Sequence, residues 1–121
     1  MPTTADTIHA SGIDCVCYLA KDFKRAKAFY TEVLGLRAVQ ESENWSEFEL
    51  PDGSAFALGH MPDTWYPGGG TMFAVADIDA ALARVRASGV TIYSEINDSP
   101  VCRMVWCADT EGNNFALHQR H

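Results

Sequence analysis

Two segments half a chain apart end in the same way. Asp52-Gly53 is followed by Ser54-Ala55-Phe56-Ala57-Leu58, and Glu111-Gly112 by Asn113-Asn114-Phe115-Ala116-Leu117. In each, an acidic residue and a glycine signal a turn, and Phe-Ala-Leu follows at the same offset. The match is in register with what precedes it. Asp22 and Asp77 stand as helix N-caps, and apolar stripes follow them: Phe23, Ala26, Phe29, Tyr30, Val33 and Leu34 in one case, Ile78, Ala81, Leu82 and Val85 in the other. Gly35 and Gly89 end both stripes where a C′ glycine belongs. Registration at every level marks an internal duplication and restricts the fold to two copies of one unit.

Each copy opens on a strand, residues 13 to 20 (IDCVCYLA) and 71 to 76 (TMFAVA). Between helix and closing strand there is room for two further strands, at 37–42 and 45–50 in the first copy and 90–96 and 102–108 in the second. The prediction is one α+β domain over residues 1–121, because a chain of 121 residues supports one core and not two independent ones. Its tandem βαβββ modules, 12–60 and 71–121, form a cupped, mostly antiparallel sheet with the helices on its outer face. Residues 61–70 (MPDTWYPGGG) link them, their prolines and glycines breaking both periods.

The formal charge of −7 argues against nucleic acid as a partner, since that needs clustered Lys and Arg to neutralise phosphates. A cationic or neutral ligand suits such a surface better, and the acidity serves solubility equally well. No apolar run approaches a membrane span, and the first residues (MPTTADTIHASG) lack the basic and apolar regions of a signal peptide. A cytoplasmic protein with no membrane partner is expected. Cys15 and Cys17, two apart on a strand, sit roughly 7 Å from each other and are not easily bridged. Free thiols are the expectation for all four cysteines.

The layout, with FYTEVLGL at 29–36 and ADTEGNNFAL at 108–117, resembles the vicinal oxygen chelate superfamily over nearly the whole chain. That superfamily includes glyoxalase I, extradiol dioxygenases, fosfomycin resistance enzymes and bleomycin resistance proteins. Thr110 stands where the family usually has proline. The resemblance implies metal ligands, drawn from His, Glu and Gln, on the first and last strands of each module. It places Cys15 and Thr71 at the two first-strand positions and Ala57 and Ala116 at the two last-strand positions. Two alanines ligate nothing, so no metal and no cofactor is expected, as in binding proteins of the bleomycin resistance type.

Strand alternation then sorts the cup. Cys15, Cys17 and Leu19 are predicted to face it, with Ala55, Ala57 and Gly59, and from the second module Thr71, Phe73, Val75, Asn114, Ala116 and His118. Val16, Tyr18, Met72, Ala74, Phe56, Leu58, Phe115 and Leu117 are predicted on the helix side. Small residues on the cup face leave space for a ligand. His118 is a candidate hydrogen-bond donor or general base, or else an exposed histidine near the C-terminus. Cys15 and Cys17 form a soft thiol pair or small buried hydrophobes. Trp65 and Tyr66 in the linker stack on a planar ligand or close a dimer interface. Arg103 pairs with a ligand anion if it points inward, and is solvated if outward.

The leading expectation is a metal-independent homodimer that sequesters a small organic molecule, cationic or aromatic, such as an antibiotic or metabolite. The alternative is a lyase, isomerase or dioxygenase with an atypical metal site, or a metal-free catalyst using His118 or Cys15. A thiol-based sensor is a third.

Overall fold

Residues 9, 11, 13–60, 63 and 67–121 are described by the structure, a computed structural model. Among them, in order, are strand β1 (Val16–Ala20), helix α1 (Phe23–Ala28) with a π-helical turn (Phe29–Val33), and strands β2 (Arg37–Glu41), β3 (Trp45–Glu49) and β4 (Ala55–His60). The second module runs β5 (Thr71–Ala74), α2 (Ile78–Ala87), β6 (Asn97–Asp98), β7 (Cys102–Ala108) and β8 (Asn114–Arg120). The βαβββ unit is thus present twice. Each builds a four-stranded sheet, ordered β1-β4-β3-β2 and β5-β8-β7-β6. The first strand runs parallel to the last, and the other neighbours are antiparallel.

Both helices start where the caps place them. The Asp22 carboxylate accepts from the Arg25 amide at 3.1 Å, and Asp77 from the Ala80 amide at 3.1 Å. Helix α1 does not stay regular to Leu34. The Thr31 hydroxyl donates back to the Lys27 carbonyl at 3.0 Å, and the Leu34 amide reaches the Phe29 carbonyl five residues back. Phe29 and Tyr30, both buried, meet edge to face at 5.3 Å in this widened turn.

One core serves both modules. Tyr30 packs on Phe56 of the first sheet, ring centroids 4.8 Å apart, and lies 6.4 Å from Phe73 of the second. Phe73 in turn meets Phe56 at 5.4 Å and Phe115 at 6.0 Å. Phe48, Phe56, Phe115, Leu58 and Leu117 are almost wholly withdrawn from water. Truncating one of these rings to alanine removes transfer energy and leaves a cavity, about 3–5 kcal/mol.

The turn between β7 and β8 fastens the modules. Glu111 crosses to the other unit, where Oε1 accepts from the amides of Lys21 (2.9 Å) and Asp22 (2.8 Å), and Oε2 from Arg25 Nε and Nη2 at 3.1 and 2.6 Å. Asn113 donates to the Leu19 carbonyl at 3.1 Å and accepts from the Gly68 amide at 2.7 Å. Asp109 holds the turn by accepting from the amides of Glu111 and Asn113, and accepts from the Tyr30 hydroxyl at 2.7 Å. Burial, then the charge and hydrogen bond of Asp109, push the Tyr30 hydroxyl well above its ordinary pKa. Tyr18 completes the fastening: its hydroxyl donates to the Asn114 carbonyl at 2.6 Å and accepts from the Thr71 amide at 3.0 Å. A methyl group on Gly69 would stand 3.0 Å from Asn114 Cβ, so the linker passes here because it is glycine.

Two elements differ from the sequence reading. Strand β1 starts at Val16, which leaves Cys15 just outside it. The strand predicted at 90–96 is replaced by the two-residue β6 and a single bridge from Ile92 to Cys107. Bends at Ser94 and Glu95 break the run between them.

Candidate functional site

Pairing between the first and last strands fixes which side chains share a face. In the first sheet Tyr18 stands beside Leu58 and Cys17 beside Ala57. Tyr18, Phe56 and Leu58 enter the core as predicted, and Cys17, Leu19, Ala55, Ala57 and Gly59 take the other face. Trp45 closes over Gly59 on that face, 3.7 Å from where a Cβ would be.

The second sheet corrects the assignment on β5. Thr71 pairs with Phe115 and Phe73 with Leu117, whereas Met72 pairs with Ala116 and Ala74 with His118. Thr71 and Phe73 therefore face the core, where Phe73 is 6% exposed, and Met72 and Ala74 face away from it, with Met72 at 49%. The run Thr-Met-Phe-Ala-Val-Ala is apolar at almost every position, so alternation alone carries no parity. The partner strand decides it.

A cleft of about 550 Å³ opens between the modules. One wall is apolar, made by Val16, Ala55 and Phe56 with Leu50 and Pro51 from the approach to the β3–β4 turn. Met72 and Ala74 form the facing wall, and Thr71 and Phe73 reach it from the core side. His118 and Arg120 of β8 supply the polar groups of the second module, and Asp52 and Ser54 those of the first. Asp52 Oδ1 accepts from both the Ser54 amide at 3.0 Å and the Ser54 hydroxyl at 2.5 Å, and these bonds hold its carboxyl below the ordinary range. The volume is that of a small-molecule site, and a mostly apolar lining with few polar groups is the usual composition of one.

Of the side chains predicted from sequence to face the cup, the cleft brings together Ala55, Thr71, Phe73 and His118. Cys17, Ala57, Asn114 and Ala116 lie outside it, Ala57 and Ala116 fully buried and Cys17 and Asn114 exposed, and half-buried Cys15 precedes β1. Arg103 does not point inward. It makes a two-pronged pair with Asp79 on α2, at 2.9 and 3.3 Å, on the helix side of the sheet. Trp65 and Tyr66 lie outside the described residues. Sequence reasoning missed Met72, Ala74, Arg120 and the turn at 50–54. Arg120 was within reach by stepping two residues along β8 from His118, but the turn joins the cleft only through the packing of the modules.

The positions at which the resemblance places metal ligands hold a thiol at Cys15, methyl groups at Ala57 and Ala116, and a hydroxyl at Thr71 on the core face. Thr71 Oγ1 is buried without a partner among the described residues. Among those residues no three His, Cys, Asp or Glu side chains converge as a metal site requires. This donor set does not fit the family's divalent metal. Nor are Cys17 and Cys107 activated. Partial burial, then the neighbouring Cys15, raise the Cys17 pKa against a weaker Gly59 backbone hydrogen bond, and burial takes Cys107 to about 11.

The family model described as the Glyoxalase/Bleomycin resistance protein/Dioxygenase superfamily matches residues 12–117. Similar solved structures include the oxidase ChaP-H2, with a TM-score of 0.75 and 22% identity over 91% of this chain and 94% of that one. TnmS3, an antibiotic binding protein from Streptomyces sp. CB03234, has a TM-score of 0.70 and 24% identity over 95% and 100%. A lactoylglutathione lyase from Agrobacterium tumefaciens has 0.73 and 19% over 92% and 95%. At these identities the likeness is one of fold. No curated protein matches the chain.

Proposed function

The chain belongs to the glyoxalase/bleomycin resistance protein/dioxygenase superfamily, and on that footing we propose that it is a metal-independent binding protein that sequesters a small organic molecule, an antibiotic or metabolite, in the cleft between its modules. The cleft carries this reading: about 550 Å³, apolar on facing walls, with a few polar groups at its margin. The superfamily spans binding proteins and enzymes on one fold, so the site and not the fold supports the choice. Here the donor set does not fit the ion that would supply Lewis-acid chemistry in its metal-dependent members.

His118 keeps a second reading open, a metal-free catalyst, because its ring stands in the cleft with no hydrogen-bond partner among the described residues. Equilibrium binding to a panel of antibiotics and aromatic metabolites, with mass analysis of each mixture after long incubation, separates the two. Saturable binding with every compound recovered intact supports sequestration; a product whose formation stops in His118→Gln replaces it with catalysis. Stoichiometric zinc, nickel, iron or manganese in protein purified without chelators overturns metal independence.

The same reading makes the protein a cytoplasmic homodimer. All four cysteines are free thiols, which suits a reducing compartment. Strands β1 and β5 are each paired on one side only among the described residues, and an unpaired edge invites a second copy. Sedimentation equilibrium that returned a monomer at micromolar concentration would remove the dimer.

A further inference from the structure

The chain as a whole is acidic, with a formal charge of −7, yet the cleft wall formed by β8 is not. His118 and Arg120 alternate along that strand, so their side chains leave the same face roughly 7 Å apart. Both border the cleft. Neither the imidazole nor the guanidinium has a hydrogen-bond or ion-pair partner among the described residues. Arg103, on the neighbouring strand, shows the contrast, since its charge is taken up by Asp79 at 2.9 Å. Asp52, across the cleft, accepts two hydrogen bonds from Ser54 within its own turn and forms no ion pair with Arg120. An unpaired guanidinium at the edge of an apolar cleft, with an imidazole beside it, is a ready seat for an oxyanion, because a planar fork of N–H groups matches its two oxygens.

We propose that the molecule held in the cleft is an amphipathic anion: an apolar body between Val16, Ala55, Met72 and Ala74, and a carboxylate or phosphate group on Arg120 and His118. This rests on the cleft being the binding site and adds the ligand's charge, opposite in sign to the one the chain's overall acidity suggests.

The test uses matched probes, a set of naphthyl and alkyl bodies each prepared as carboxylate, phosphate monoester and uncharged amide, titrated into the full chain by calorimetry. The expected result is that the anions bind about tenfold more tightly than their amides, corresponding to one charge-assisted contact. Arg120→Gln should abolish that preference, with an unchanged thermal melt by circular dichroism reporting that the variant is folded. Asp52→Asn should keep or enlarge it. The carboxylate and phosphate arms show which oxyanion the seat prefers. Equal affinity for anions and amides, or a preference untouched by Arg120→Gln, overturns the inference and leaves the binding function standing. If no probe of any charge binds, the cleft is not a binding site and both readings fall.

Discussion

Glu111 Oε2 and Arg25 Nη2 lie 2.6 Å apart across the module boundary, and the two side chains differ sharply in their access to water, 1% exposed for Glu111 and 56% for Arg25. Solvent screens the arginine, so most of the bond's contribution comes from what the buried carboxylate does for backbone amides. Glu111→Ala leaves the Lys21 and Asp22 amides short of an acceptor and should cost about 2–4 kcal/mol in urea denaturation. Arg25→Ala should cost clearly less. Equal losses would mean that the ion pair, and not the bonds to the Lys21 and Asp22 amides, holds the modules together.

The same carboxylate sets an acid limit. Burial pushes the Glu111 pKa up, but hydrogen bonds from Asp22, Arg25 and Lys21 outweigh it and hold the group below the ordinary glutamate value. A carboxyl depressed on folding contributes stability above its unfolded pKa, and that contribution fades as pH falls through the folded value. Wild-type protein and Glu111→Gln should therefore differ at pH 7 and converge as the pH falls below the ordinary glutamate range. A gap that widens in acid would contradict the assignment.

Tyr18→Phe deletes the acceptor of the Thr71 amide and the donor to the Asn114 carbonyl while keeping the ring. A loss of about 1–3 kcal/mol is expected, with an unchanged denaturant slope because the same surface is buried. A neutral result would show that water takes over both partners.

Ala74→Trp should fill the cleft. Ala74 is exposed on the side of β5 that faces away from the core, so the indole needs no core space. Binding of any panel compound should fall at least about tenfold, equivalent to 1.4 kcal/mol, with the melting temperature little changed. Retained affinity would place the ligand elsewhere.

Cys107 should react slowly. Cys107 is fully buried with a pKa of about 11, so a disulfide reagent at pH 7.5 should leave it unmodified until the chain unfolds. Its proton is held more tightly in the folded state, so stability is intact below the unfolded thiol pKa and declines as pH rises toward 11. Rapid labelling of Cys107 at neutral pH would contradict its burial.

The duplication, both helix caps and the two closing strands were legible because each had a short, local signature: aspartate before an apolar stripe, glycine after it, Phe-Ala-Leu beyond a turn. Parity on β4 and β8 followed from Phe56, Leu58, Phe115 and Leu117. Parity on β5 did not, since the run from Thr71 to Ala76 is apolar beyond its first residue, and pairing with β8 turns Thr71 and Phe73 to the core face and not to the predicted cup face. Arg103 was ambiguous until Asp79, on a different element, supplied its partner. The fastening by Glu111 and the cleft at residues 50–54 depend on how two modules meet, which no local pattern encodes.

Asp52-Gly53 and Glu111-Gly112 began as the same turn and have parted company. The later copy buries its carboxylate, which is committed to the start of α1; the earlier one holds its carboxylate in solvent at the mouth of the cleft, bonded to its own Ser54. Duplication has thus released one loop from the duty the other performs. Residues 50–54 are where this scaffold can change what it captures without loosening what keeps it whole.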